Sequence, residues 1–198
     1  MTTILSELFR DNVTKAEAAR IVHEYLISVL DEKDEDDISA ACRLRDIYDC
    51  HVCAGHVAQT YVKGIIAPDS EKVFGLKTAL KAGEADMIVL RVLDRSKRIK
   101  VEPAGSVCSR ILIREVTGLD SPRIIDVRSE ECFENGHIDA AVNIPLERIY
   151  INPLQIAGNL SDDIVFVCDR GVKACLAAHL AAKAGYRNVY YSRYETGQ

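Results

Sequence analysis

Apolar residues in the first half of the chain recur at three- and four-residue spacing over residues 15–30, 39–64 and 82–93. That period predicts three helices, and strand signals there are weak. From about Arg123 the pattern changes. Short apolar runs at 123–128 and 164–167 alternate with helical stretches, and the alanine-rich stretch 174–184 is followed by Gly185 as a C-terminal cap. Such alternation predicts an α/β unit with a parallel sheet, and the run 164–167 is apolar enough for the sheet's centre. Pro103-Ala104-Gly105-Ser106 interrupts regular structure between the two patterns. The 198 residues are therefore expected to form a mainly α-helical domain over 1–103 and an α/β domain over 104–198.

The helical part contains an internal repeat. Residues 13–26 align without a gap on residues 80–93, with Glu17/Glu84, Ala18/Ala85, Ile21/Ile88, Val22/Val89 and Leu26/Leu93 identical at an offset of 67. Each copy puts an acid in the first turn of a helix, where the macrodipole favours it. Between the first two helices lies Asp31-Glu32-Lys33-Asp34-Glu35-Asp36-Asp37. It lacks the glycine at position six and the glutamate at position twelve of a calcium loop, and reads as a solvated connector with Ser39 capping the next helix. The basic tract at 94–100 reads as the solvated end of the third helix.

A net charge of -5 offers no general attraction to phosphate backbones or anionic lipid, so neither nucleic acid nor a membrane is an expected partner. No run approaches the length of a membrane helix, and the first eleven residues do not read as a secretory signal, so a cytoplasmic location is expected. The seven cysteines, odd in number and irregularly spaced, suit free thiols in a reducing compartment. Cys50-His51-Val52-Cys53, with His56 nearby, has zinc-ligand chemistry. Small buried cysteines in a helical core account for it equally well, and neither a metal nor a cofactor is expected.

Chemistry concentrates after the run 164–167, where Cys168, Asp169, Arg170, Gly171, Val172 and Lys173 lead into the alanine-rich helix. A tight loop opening on a helix amino terminus points unpaired N–H groups at one place and makes an anion cradle, with Gly171 allowing the turn. Cys168 lies at its rim. The N–H groups, aided by Arg170 and Lys173, should favour thiolate and lower its pKa.

Several separated stretches resemble the rhodanese family. Ile125-Asp126-Val127-Arg128 is similar to its Asp-Val-Arg segment, 133–145 to its Gly-His-Ile-x-Gly-Ala-x-Asn-Ile-Pro element, 168–173 to its six-residue active loop, and 185–189 to the turn into its last strand. The resemblance implies a parallel sheet with flanking helices and a sulfurtransferase or persulfide carrier. Cys168 would accept a sulfane sulfur from a small sulfur-containing anion such as thiosulfate, or from a protein persulfide donor, and pass it to a nucleophile. The alternative is a non-catalytic binding or regulatory domain of the same fold. Asp126, Arg128 and His137 would be structural near the site.

Three positions differ from the family pattern. Asp169 brings a negative charge beside the thiol, Lys173 replaces an arginine, and Ala140 replaces a glycine. The terminal helix that covers one sheet face in relatives is also missing, and the helices around Tyr61 or Val89 are the expected cover. Residues 46–93, through Asp46, His51, Gly64-Ile65-Ile66, Phe74 and Leu80-Lys81-Ala82-Gly83-Glu84, resemble an S-layer homology repeat. That likeness implies a helical scaffold or docking surface, with a protein or polysaccharide as partner.

Overall fold

The computed structural model describes residues 3–50, 52–104, 108–156 and 158–194. The chain divides into two compact units, Met1–Ala104 and Gly105–Gln198.

The first unit contains α1 (Thr3–Ser6), α2 (Lys15–Ser28), α3 (Ala54–Val62) and α4 (Glu84–Leu93). Thr14 closes a capping box with Glu17 at the start of α2. The helix predicted over 39–64 is broken. Two 3-10 turns, Ser39–Arg43 and Arg45–Asp49, precede α3, separated by Leu44 in an extended conformation. Ser39 does not cap it: Ser39 is the first residue of the turn, Ile38 is the N-cap with no side-chain hydrogen bond, and Asp37 Oδ1 accepts the Ser39 N–H at 2.9 Å. A second turn is organised by Asp46, whose carboxylate accepts the N–H groups of Phe74, Gly75 and Leu76 at 2.8, 2.8 and 3.2 Å. Gly64 has φ 68°, and a Cβ there would lie 1.9 Å from the Ile99 carbonyl oxygen, so only glycine fits.

The two copies of the repeat meet. Thr14 and Ala79 form an antiparallel bridge, and the Leu80 N–H donates to the Val13 carbonyl at 2.8 Å. The acids open their helices alike: Glu17 accepts the Thr14 N–H at 2.8 Å, and Glu84 the Lys81 N–H at 2.6 Å.

The acidic connector is not the solvated strip that local sequence predicts. Glu32, 9% exposed, holds Lys63 at 3.1 Å, Arg95 at 2.9 Å and Arg98 at 2.7 Å. Asp34 Oδ1 accepts from His23 Nε2 at 2.7 Å, and Glu35 pairs its backbone N–H and C=O with the Gln59 amide. The connector and the basic tract, each bland alone, neutralise one another.

Free thiols were the expectation for all seven cysteines, but Cys50 and Cys53 are joined in a disulfide, with Cα atoms 5.4 Å apart across the turn into α3. That spacing lies within the range a disulfide spans. His51 lies outside the described residues. Among the described residues, no three His, Cys, Asp or Glu side chains are grouped to hold a metal ion, and no helix is long and apolar enough to cross a membrane.

The second unit contains β1 (Ser109–Arg110), β2 (Arg123–Asp126), α5 (Glu130–Glu134), β3 (Val142–Asn143), α6 (Leu146–Ile151), β4 (Asp163–Cys168), α7 (Val172–Lys183) and β5 (Asn188–Arg193). The five strands form a parallel sheet in the order β1-β5-β4-β2-β3. This is the α/β architecture with flanking helices that the alternating pattern predicts. β4 sits centrally, with residues 164–168 all buried. α7 packs along β4, β5 and α6. Side chains alternate along a strand, so Val165 and Val167 share one face. There they pack with Val116, Ile111, Ile113 and Leu119 from the 3-10 turn Ile113–Gly118 and its flanks. The face expected to lack cover is thus covered from within the unit, by the segment preceding β2.

Candidate active site

β4 ends at Cys168, and α7 begins four residues later with Gly171 as its N-cap at φ 79°. The left-handed turn aims the backbone at the sulfur. The Ala174 N–H donates to Cys168 Sγ at 3.3 Å, and the N–H groups of Arg170 and Gly171 also turn to it. The cradle is therefore made by Arg170, Gly171 and Ala174, the last lying one residue beyond the six-residue loop. Arg170 is exposed and Lys173 half-buried, while the Val172 side chain packs inward.

The predicted fall in the thiol pKa is reversed. Cys168 is 2% exposed, and burial pushes its pKa above the ordinary thiol value, outweighing the pull of the three N–H groups, with Asp169 adding to the rise. A buried charge loses its hydration, and three backbone dipoles do not replace all of it.

Asp126 and Arg128 lock the end of β2 beside this loop. Asp126 is fully buried. Its carboxylate accepts the Arg128 backbone N–H at 3.0 Å, Nε at 3.0 Å and a terminal guanidinium nitrogen at 2.6 Å. The same guanidinium donates to the Gly136 carbonyl at 2.7 Å and lies 4.8 Å from the Tyr194 ring centroid. Asn143 Nδ2 bridges the carbonyls of Asp126 and Arg128, each at 3.0 Å. His137, exposed, bonds the Phe133 carbonyl at 2.9 Å and stacks on the Phe133 ring. Ala140 sits at φ 66°, a conformation that favours glycine.

The chain's end contributes residues that sequence reasoning did not assign to the site. The Tyr194 N–H donates to the Cys168 carbonyl at 2.7 Å, and Arg193 Nε to the Asp169 carbonyl at 3.2 Å. Their one signal was position: β5 pairs with β4 so that Arg193 stands opposite Cys168.

A cysteine at the end of a central parallel strand, facing N–H groups at a helix start, defines a buried thiol site. Comparison with known proteins places it in a family. The rhodanese-like domain matches residues 114–194. The thiosulfate sulfurtransferase GlpE of Shewanella oneidensis is 33% identical over 78 residues, covering 38% of this chain and 73% of GlpE. YrkF of Bacillus subtilis is 32% identical over 76 residues, 38% of this chain and only 40% of YrkF. Human single domain sulfurtransferase TSTD1 aligns at 26% identity over 45% of this chain and 89% of its own, with a TM-score of 0.35. Through residues 114–194 the chain belongs to the rhodanese-like family.

Proposed function

We propose that the second unit is a sulfurtransferase or persulfide carrier working through Cys168. The thiolate attacks the outer sulfur of thiosulfate; a new S–S bond forms, the donor's S–S bond breaks, and sulfite leaves with the electron pair. The persulfide then surrenders its outer sulfur to a thiol or other nucleophile. The observation that carries this reading is the Ala174 N–H on Cys168 Sγ, joined by those of Arg170 and Gly171. These donors would stabilise a persulfide anion as an oxyanion hole stabilises oxygen. Asp126, Arg128 and His137 hold the loop's surroundings, while Asp169, Val172 and Lys173 shape its rim.

Incubation of the full chain with thiosulfate, followed by peptide mass spectrometry, tests the reading. The Cys168 peptide should gain one sulfur atom and lose it to cyanide as thiocyanate. A gain on another cysteine, or none, would remove Cys168 from the chemistry. A second reading, a binding or regulatory domain, draws on the upward push on Cys168 and the acidic Asp169; absence of any sulfur adduct would favour it. For the first unit we propose a repeat scaffold of the S-layer homology type, docking a protein or polysaccharide. The pairing of its two copies through Val13 and Leu80 supports a repeat.

A further inference from the structure

We infer that Cys50 and Cys53 form a second sulfur site, a reversible disulfide that exchanges with dithiols. The pair stands at the entry of α3, with Cys53 as its N-cap and no side chain capping the helix. Negative charge on sulfur is favoured there by the helix dipole, as in other Cys-x-x-Cys turns. The Cys53 N–H donates to Cys50 Sγ at 3.0 Å, a contact that also stabilises a Cys50 thiolate once the bond opens.

Burial sets the direction of attack. Cys50 is half-buried and its neighbour Val52 is 80% exposed, whereas Cys53 is 8% exposed. An incoming thiolate therefore reaches Cys50 first. Its sulfur bonds to Cys50 Sγ, the Cys50–Cys53 bond breaks, and Cys53 leaves as a thiolate at the helix amino terminus, where the dipole favours its charge. The second thiol of the same dithiol then attacks the mixed disulfide and releases Cys50. The dithiol is oxidised by two electrons and the protein reduced by two.

Two further observations separate this pair from a structural staple. It encloses only two residues, and loops that small gain least from cross-linking. Among the described residues no disulfide is formed besides Cys50–Cys53, so the fold does not rest on a disulfide framework.

The test uses the full chain, oxidised with oxidised glutathione and then treated with dithiothreitol in native buffer. Thiols are trapped with N-ethylmaleimide under denaturing conditions and counted by intact mass. Five labels should appear before reduction and seven after, the last two at Cys50 and Cys53, and oxidised glutathione should reverse the change. Seven labels in the oxidised sample, or a bridge that opens only in denaturant, would overturn the proposal. Single variants read the direction. With oxidised glutathione, Cys53→Ser should carry a glutathione on the peptide containing residue 50, while Cys50→Ser should carry none on the peptide containing residue 53. Equal or reversed adducts would refute the assigned order of attack.

Discussion

The two units solve the same problem, satisfying a buried backbone, by different means. In the second, five parallel strands pair backbone groups in regular ladders, and the buried carboxylate of Asp126 is matched by Arg128. In the first, helices and 3-10 turns are tied together by carboxylates: Asp46 accepts three backbone N–H groups, while Glu32 gathers three side-chain cations. A ladder is a regular solution and leaves a regular pattern. Carboxylate hubs are specific solutions, and residues far apart in sequence build them.

The sharpest division concerns chemistry. Cys168→Ser should reduce sulfur transfer from thiosulfate to the rate without enzyme, because a hydroxyl is a far weaker nucleophile at neutral pH. Melting of both units should be unchanged. Retained transfer would place the nucleophile elsewhere, and a lost transition in the melt would make Cys168 a stability residue instead.

Acid should separate the units next. His179 in α7 is pulled down to about 4 by burial, with Lys183 adding to it, against an ordinary 6.5. The unfolded chain then binds the extra proton, so stability of the second unit is full above 6.5 and falls as pH drops toward 4. Glu32 is held at about 2, first by Arg98 and then by Lys63, against an ordinary 4.5. Its contribution is full above 4.5 and is lost as pH drops toward 2. Each shift corresponds to at most about 3–4 kcal/mol. Hydrogen exchange followed peptide by peptide across pH 7 to 2 should show α7 and β4 loosening before α3 and α4. Simultaneous loosening would erase the distinction, and His179→Gln should remove the earlier window.

A smaller effect is expected at the rim of the site. Because Cys168 is pushed upward, transfer should keep rising with pH beyond the ordinary thiol range. Asp169→Arg removes a like charge and should move that limb toward lower pH, raising the neutral rate with thiosulfate several-fold, or about 1 kcal/mol. An unchanged or lower rate would point to a donor that Asp169 itself attracts.

The smallest concerns backbone conformation. Ala140 at φ 66° carries a left-handed cost of about 1–2 kcal/mol, and glycine's extra freedom when unfolded offsets about 0.5–1 kcal/mol of any gain. Ala140→Gly should therefore raise the stability of the second unit by about 0.5 kcal/mol, measured by urea titration. A decrease would mean that the methyl group packs usefully.

The central strand, the loop after it and α7 were legible because each rests on neighbours in sequence: an apolar run, a cysteine, Gly171 at the turn, then alanines. That the stretch 39–64 is not one helix was not legible, because helical spacing does not register that Leu44 turns extended between two 3-10 turns. Ala174 escaped notice because an alanine signals nothing of its N–H, and Tyr194 because its place beside Cys168 comes from strand pairing.

By itself, the sequence determined the alternation of strand and helix, the repeat, and the identity of the thiol loop, since these follow from local periodicity and from which residue types can turn or react. Tertiary structure alone decided that Glu32 meets Arg95 and Arg98, that Val116 covers the sheet, that Cys50 bonds Cys53, and that Cys168 is pushed upward. Pairing of distant charges, sheet cover and desolvation depend on which surfaces the fold removes from water, and the bridge on how the turn into α3 aims its two sulfurs. Neither is written in any one stretch of the chain.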